Sequence, residues 1–383
     1  MTEYNLNETV GGGLLNAIKS TGEFLAKHHQ VSFVSLGNKT QIIKLNSYEN
    51  LEVESTPADG QLDSNGKSQE NRIAVFNSQN LKTISNFLDK NQPEVIVVHF
   101  DAVFGYLALN WAKKNNKKVL YWSHMLVDRG HEFHQENKKI LKLLSIFASR
   151  FLILIFCKQI AGVIAINNAS VQSFRNIGYK GRVFVMPNAR DMDTFNNSNN
   201  LKSFQAENLV FIGHISKRKN QEFLINSMKF IKKKYKLKLI GKIFEKKTYF
   251  KLKKIVEDNG LNVEFVDRVD YCQIPNILEN TKLFLSASKT EVQSLVVLEA
   301  IASGIPIVAL ENETTKEFKE QQFIEVLPPI TSPQDFARIV NRKLKMDEGE
   351  YLELSKLAKD FSENFSFENQ EKVFKDIYFQ INS

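Results

Sequence analysis

A chain of 383 residues with 43% hydrophobic and 25% charged residues is too long for one ordinary core and too apolar for disorder, so two soluble domains are expected. Two widely separated cysteines, Cys157 and Cys272, argue against a disulfide framework or a thiolate metal site. The net charge of +8 collects in runs such as Lys217-Arg218-Lys219, without a helix-turn-helix, zinc-finger or RNA-binding pattern, so nucleic acid is not an expected partner.

The first residues include Glu3, Asn5, Asn7 and Glu8 and no apolar core, so no signal peptide is expected. Gly11-Gly12-Gly13 then leads a helical pattern over 14–27, with no apolar strand ahead of it. Apolar, β-rich runs follow at 31–36, 72–76, 94–100, 118–122, 162–166 and 182–186, with a polar loop expected over 52–70. The segment 140–157 is unusually apolar but carries Lys142 and Arg150. Two readings stand for it: a buried helix between strands, or a face resting on an anionic membrane surface with help from Lys138, Lys139, Lys142, Arg150 and Lys158.

Residues 188–206 are rich in Asn, Asp and Ser, lose apolar periodicity and predict a linker. Strands resume at 208–213, 236–241, 262–266, 282–286 and 305–310. Short continuous apolar strands separated by helices are the pattern of parallel sheets covered on both faces. Two such series predict two doubly wound domains, whose ligand-binding residues lie just after the strands.

Three post-strand segments carry chemistry. Gly213-His214 and then Lys217-Arg218-Lys219 follow the strand at 208–213, an arrangement suited to phosphate. Glu291 precedes a helical pattern running from Ser294 to Ser303 and closed by Gly304; Glu299 lies a turn and a half into it. The amides of Ser294 and Leu295 open that helix and can meet a diphosphate. His124 directly follows the strand at 118–122, with His131 and His134 in the next loop; these histidines lack thiolate or carboxylate partners at metal-site spacing. Asp191-Met192-Asp193 looks like a metal-binding Asp-x-Asp, but its place in the linker region opposes that reading.

The run from Glu291 to Pro306 reads Glu-x7-Glu-Ala-x-Ala-x-Gly-x-Pro, which resembles the retaining glycosyltransferases of family four. The resemblance implies an α/β GT-B fold, with two Rossmann-like domains and an interdomain cleft. It implies an N-terminal acceptor-side domain over 1–187, a linker over 188–206, a nucleotide-sugar domain over 207–365 and a returning helix over 366–383. In that family the first Glu of the motif contacts the donor hexose and the second holds the ribose, positions filled here by Glu291 and Glu299. Lys219 matches the lysine that grips the diphosphate, and His214 stands where arginine is usual, with Arg218 nearby. Gly12 and Gly13 match a glycine-rich loop beside the phosphate, and His124 a histidine near the reacting carbon. Val292-Gln293-Ser294 departs from the family's Gly-Phe-Gly.

The expected activity is therefore hexosyl transfer, with retention, from a UDP- or GDP-sugar to a glycan or lipid-linked acceptor in surface polysaccharide or glycolipid synthesis. The resemblance implies no metal or other cofactor, and a cytoplasmic protein with an inner-leaflet membrane surface as a further partner. The alternative is a catalytically silent glycan-binding or synthase-complex member of the same fold.

Overall fold

The computed structural model describes residues 13–37, 39–44, 47–57, 72–74, 77–99, 103–129, 139–196 and 198–383. The chain forms two compact units, one made of Met1–Ala189 with Gln370–Ser383, the other of Arg190–Asn369.

In the first unit, β1 (Ser32–Gly37), β2 (Gln41–Lys44), β3 (Glu49–Pro57) and β4 (Arg72–Ala74) form one sheet. β3 runs parallel to β1 but antiparallel to β2 and β4, so this sheet is mixed where a parallel one was expected. The expected loop over 52–70 is corrected at its start, because residues through Pro57 belong to β3. Buried polar pairs hide that strand in the sequence. Ser35 donates to Asn50 at 3.0 Å, and Gln41 donates to Glu52 at 2.7 Å.

A second sheet holds β5 (Val95–Val98), β6 (Lys118–Ser123), β7 (Gly162–Ala165) and β8 (Val183–Val185), all parallel and in chain order. Val34, Leu36, Leu51 and Val53 of the first sheet share one apolar cluster with Val98, Tyr121 and Val163 of the second. Helix Lys139–Cys157 contributes to that cluster through Ile153, Phe156 and Cys157. Its other face leaves Phe147, Phe151 and Leu152 exposed. No helix among the described residues is long and apolar enough to cross a membrane. Helix Phe367–Asn382 joins this unit from Gln370 onward, where Gln370 accepts from Thr21 at 2.9 Å and donates to the Pro187 carbonyl at 2.7 Å.

The second unit carries β9 (Asn208–Ile212), β10 (Lys236–Ile240), β11 (Val263–Val266), β12 (Leu283–Ser286), β13 (Ile307–Leu310) and β14 (Ile324–Leu327). All pair in parallel, in the order β11-β10-β9-β12-β13-β14. β12 and β13 are buried at every position, which is why they read as unbroken apolar runs. The chain steps from β9 outward to β11, then returns to β9's other side as β12. Such a reversal is where open α/β sheets open a crevice at their carboxyl ends.

The Asn-rich segment over 188–206 is not a bare linker. It folds into helices Asp193–Asn196 and Asn200–Gln205 within the second unit. Its asparagines act as caps: Asn199 accepts from the amides of Leu201 and Lys202, and Asn200 donates to the Ser303 carbonyl at 2.8 Å. Gly304, at φ 69°, ends helix Leu295–Ala302 in a left-handed turn.

Candidate active site

The loops after β9 and β12 meet at the reversal of the sheet. Lys217–Lys219 forms a single 3₁₀ turn, and the Lys289 amide donates to the Arg218 carbonyl at 2.9 Å, tying the two loops together. The Lys219 ammonium donates to Oε1 of Glu291, and both side chains are 11% exposed. Arg218 Nη1 donates to the Thr290 carbonyl at 3.0 Å and lies 3.6 Å from Glu291 Oε2. The structure thus brings together Arg218, Lys219 and Glu291, which stand 72 and 73 residues apart in the chain.

Gly213 directly follows β9, and its amide donates to the Ile240 carbonyl at 2.8 Å. Gly241, which the sequence did not single out, lies against it. A Cβ on Gly241 would fall 2.5 Å from the Gly213 carbonyl oxygen, and its φ of 146° is one that only glycine adopts readily. His214 is half-buried; its carbonyl accepts from Gln221 at 2.7 Å, and its ring lies 5.9 Å from that of Phe244.

One expectation is corrected at the helix that starts with Leu295. The Ser294 amide is not free for a phosphate, because it donates to Thr314 Oγ1 at 2.9 Å. The helix itself starts one residue later, with Ser294 as its extended cap; the Val297 and Leu298 amides donate to the Ser294 carbonyl, which leaves those of Leu295 and Val296 at the helix start. Glu291's own amide donates to Glu313 at 3.1 Å. Neither Val292 nor Gln293 has a positive φ, so neither holds a conformation that calls for glycine.

Glu299 is 3% exposed and accepts from Arg190 Nε at 3.1 Å. Burial pushes its carboxyl up, while Arg190 and the Tyr271 hydroxyl pull it back. Arg190 and Tyr271 lie outside the Glu-x7-Glu motif and become partners of Glu299 only in the fold. Asp191 accepts from Thr194 at 2.8 Å and Asp193 opens a helix, so the Asp-x-Asp pair is spent on local structure.

In the first unit, His124 follows β6 and is 9% exposed. Its Nε2 lies 3.0 Å from Nδ1 of His99, which directly follows β5 inside the apolar run at 94–100. Burial lowers the His124 pKa to about 3 and holds His99 well below the usual range, so both rings are neutral near pH 7. The pair therefore carries one proton between the facing nitrogens. Asn188 interacts with His124 and opposes the effect of burial, although Nδ1 makes no hydrogen bond of normal geometry. Gly12, His131, His134 and Lys138 lie outside the described residues, and Gly13 is the first residue of helix Gly13–Leu25. Among the described residues, no three His, Cys, Asp or Glu side chains gather as a metal-holding group.

Residues 193–365 match the family model described as "Glycosyl transferases group 1", and residues 11–194 that of "Glycosyltransferase Family 4". The two matches are consecutive and place the chain among the glycosyltransferases of GT-B fold. A curated relative, an uncharacterized glycosyltransferase of Haemophilus influenzae, is 22% identical over 300 residues, covering 77% of this chain and 79% of its own. A sucrose-phosphate synthase structure from Thermosynechococcus elongatus superposes with a TM-score of 0.76 at 16% identity, over 99% of this chain and 98% of that one. Anabaena HepE, solved with UDP and glucose, superposes at 0.64 with 17% identity, over 79% and 82%.

Proposed function

We propose that this glycosyltransferase moves a hexose from a UDP- or GDP-sugar to a glycan or lipid-linked acceptor, with retention and without a bound metal. The observation that carries the reading is the apposition of Lys219, Arg218 and Glu291 at the reversal between β9 and β12. Two cations there suit a diphosphate, and an adjacent carboxylate suits sugar hydroxyls. The likeness to a protein solved with UDP and glucose supports a uridine donor.

In this mechanism the bond from the anomeric carbon to the diphosphate oxygen breaks as the acceptor oxygen bonds to the same face of that carbon. The acceptor proton passes to the departing phosphate. Lys219 and Arg218 stabilise the charge that develops on the leaving diphosphate, where preorganised cations act most strongly. His124 enters as a neutral hydrogen-bonding group, in keeping with its lowered pKa. The test is a thermal-shift screen of nucleoside diphosphates followed by transfer assays with UDP- and GDP-sugars. UDP or GDP should stabilise the protein by mass action, and labelled sugar should reach an acceptor. Binding without turnover on any acceptor would support the silent, glycan-binding alternative, which His214 in place of arginine motivates.

The membrane surface belongs to the same reading. Phe147, Phe151, Leu152 and Ile155 form an exposed stripe on helix Lys139–Cys157, which has no acidic residue and is followed by the exposed Lys158. An apolar stripe with a lysine at its end and no acidic residue fits an anionic lipid surface, and residence on the inner leaflet would bring a lipid-linked acceptor to the enzyme. Vesicles containing a third phosphatidylglycerol should sediment the protein, and Phe147→Ser with Phe151→Ser should release it. Equal sedimentation of the double variant would rule out this face.

A further inference from the structure

The residue that holds Glu299 is not part of the Glu-x7-Glu motif. Arg190 begins the second unit, 109 residues before Glu299, and 4% of it is exposed. Its backbone is pinned: the amide donates to the Phe365 carbonyl at 2.9 Å, and the residue bridges to Ser366. Its side chain reaches Glu299 through Nε alone, at 3.1 Å. Tyr271 completes the cluster, with its hydroxyl on Glu299 and its ring 5.9 Å from the guanidinium. The tyrosine is 46% exposed, so the cluster reaches solvent on that side.

An ionised carboxylate offers about four lone-pair positions. Arg190 occupies one position on Oε1 and the Tyr271 hydroxyl also bonds the carboxyl, which leaves acceptor capacity for further hydroxyls. A buried carboxylate stays charged and fixed in direction only when a partner compensates it. Arg190 is the only cation among the described groups acting on Glu299.

We propose that Arg190 is a positioning residue for the ribose of the donor nucleotide: its pinned guanidinium holds the Glu299 carboxyl in the direction that lets it accept from the paired ribose hydroxyls. The inference rests on the nucleoside diphosphate reading given above.

Calorimetry on the full chain would compare UDP with 2′,3′-dideoxyuridine diphosphate, which lacks both hydroxyls. The wild type should prefer UDP by about tenfold or more, the value of hydrogen bonds to a charged acceptor. Arg190→Met should reduce that ratio toward unity while leaving the dideoxy affinity within about twofold, and Arg190→Lys should recover part of it. In Arg190→Met the ratio should climb again as pH is raised, because the uncompensated carboxyl then ionises. An unchanged ratio in Arg190→Met, or equal losses for both nucleotides, would overturn the proposal. Adding Arg190→Met to Glu299→Gln leaves no buried charge unpaired, which protects against misfolding; a further fall in the ratio there would also overturn it. Failure of wild type to bind either nucleotide would instead reject the nucleoside diphosphate reading itself.

Discussion

The ammonium of Lys219 and the carboxylate of Glu291 are bonded to each other, and each side chain is 11% exposed. An arriving diphosphate therefore competes with an internal anion for the same cation. Glu291→Gln should remove that competition and tighten UDP binding roughly three- to tenfold, or about 1 kcal/mol, while transfer falls by on the order of a hundredfold. Calorimetry and a transfer assay on one preparation would separate the two effects. Weaker UDP binding in this variant would remove Glu291 from the neighbourhood of the diphosphate.

Lys219→Met should act in the opposite sense on binding. Loss of a charge-assisted contact to phosphate should weaken UDP roughly ten- to a hundredfold. Uridine, which has no phosphate, should bind the variant and the wild type alike. Equal losses for uridine and UDP would mean that the lysine supports the fold rather than the phosphates.

The histidine pair predicts an acid-sensitive stability. His124 titrates near 3 in the fold against 6.5 as a free group, and His99 is shifted the same way. Between those values the unfolded chain binds more protons, so stability is complete above about pH 6.5 and falls as pH drops below it. Each ring contributes a slope of up to about 1.4 kcal/mol per pH unit in that window. Melting curves between pH 4 and 7.5 should show a shallower decline in His124→Gln. An identical decline would mean that His124 is not the titrating group.

Gly241→Ala should test the close approach of β10 to the phosphate-side loop. The new Cβ would meet the Gly213 carbonyl oxygen at 2.5 Å, on a backbone at φ 146°. The strain should cost about 1–3 kcal/mol, read as a lower urea midpoint, and the displaced loop should weaken UDP. A wild-type midpoint would show that the loop yields without cost.

The parts of this protein legible in its sequence are those whose burial is uniform. β9, β12 and β13 read as apolar runs because both their faces are covered. β3 is hidden in the sequence because Asn50 and Glu52 are buried with polar partners, and β14 because Glu325 interrupts it. Asparagines that cap helices near residue 199 look the same in composition as a linker. At the site, Lys219 and Glu291 were legible because they follow strands at the reversal of the sheet. Arg190, His99 and Gly241 were not, since each matters through a neighbour that only the fold brings near.

The strand order of the second unit also limits how the protein can be cut. β9 sits between β10 and β12, so the loop bearing Lys219 gains its partner Glu291 only after two outer strands have been laid down and the chain has come back. No excised piece ending before about residue 300 holds both the Lys219–Glu291 and the Arg190–Glu299 contacts. Nucleotide affinity therefore serves as an assay for complete assembly of this unit, and a proteolytic nick within it should silence binding even where most of the sheet survives.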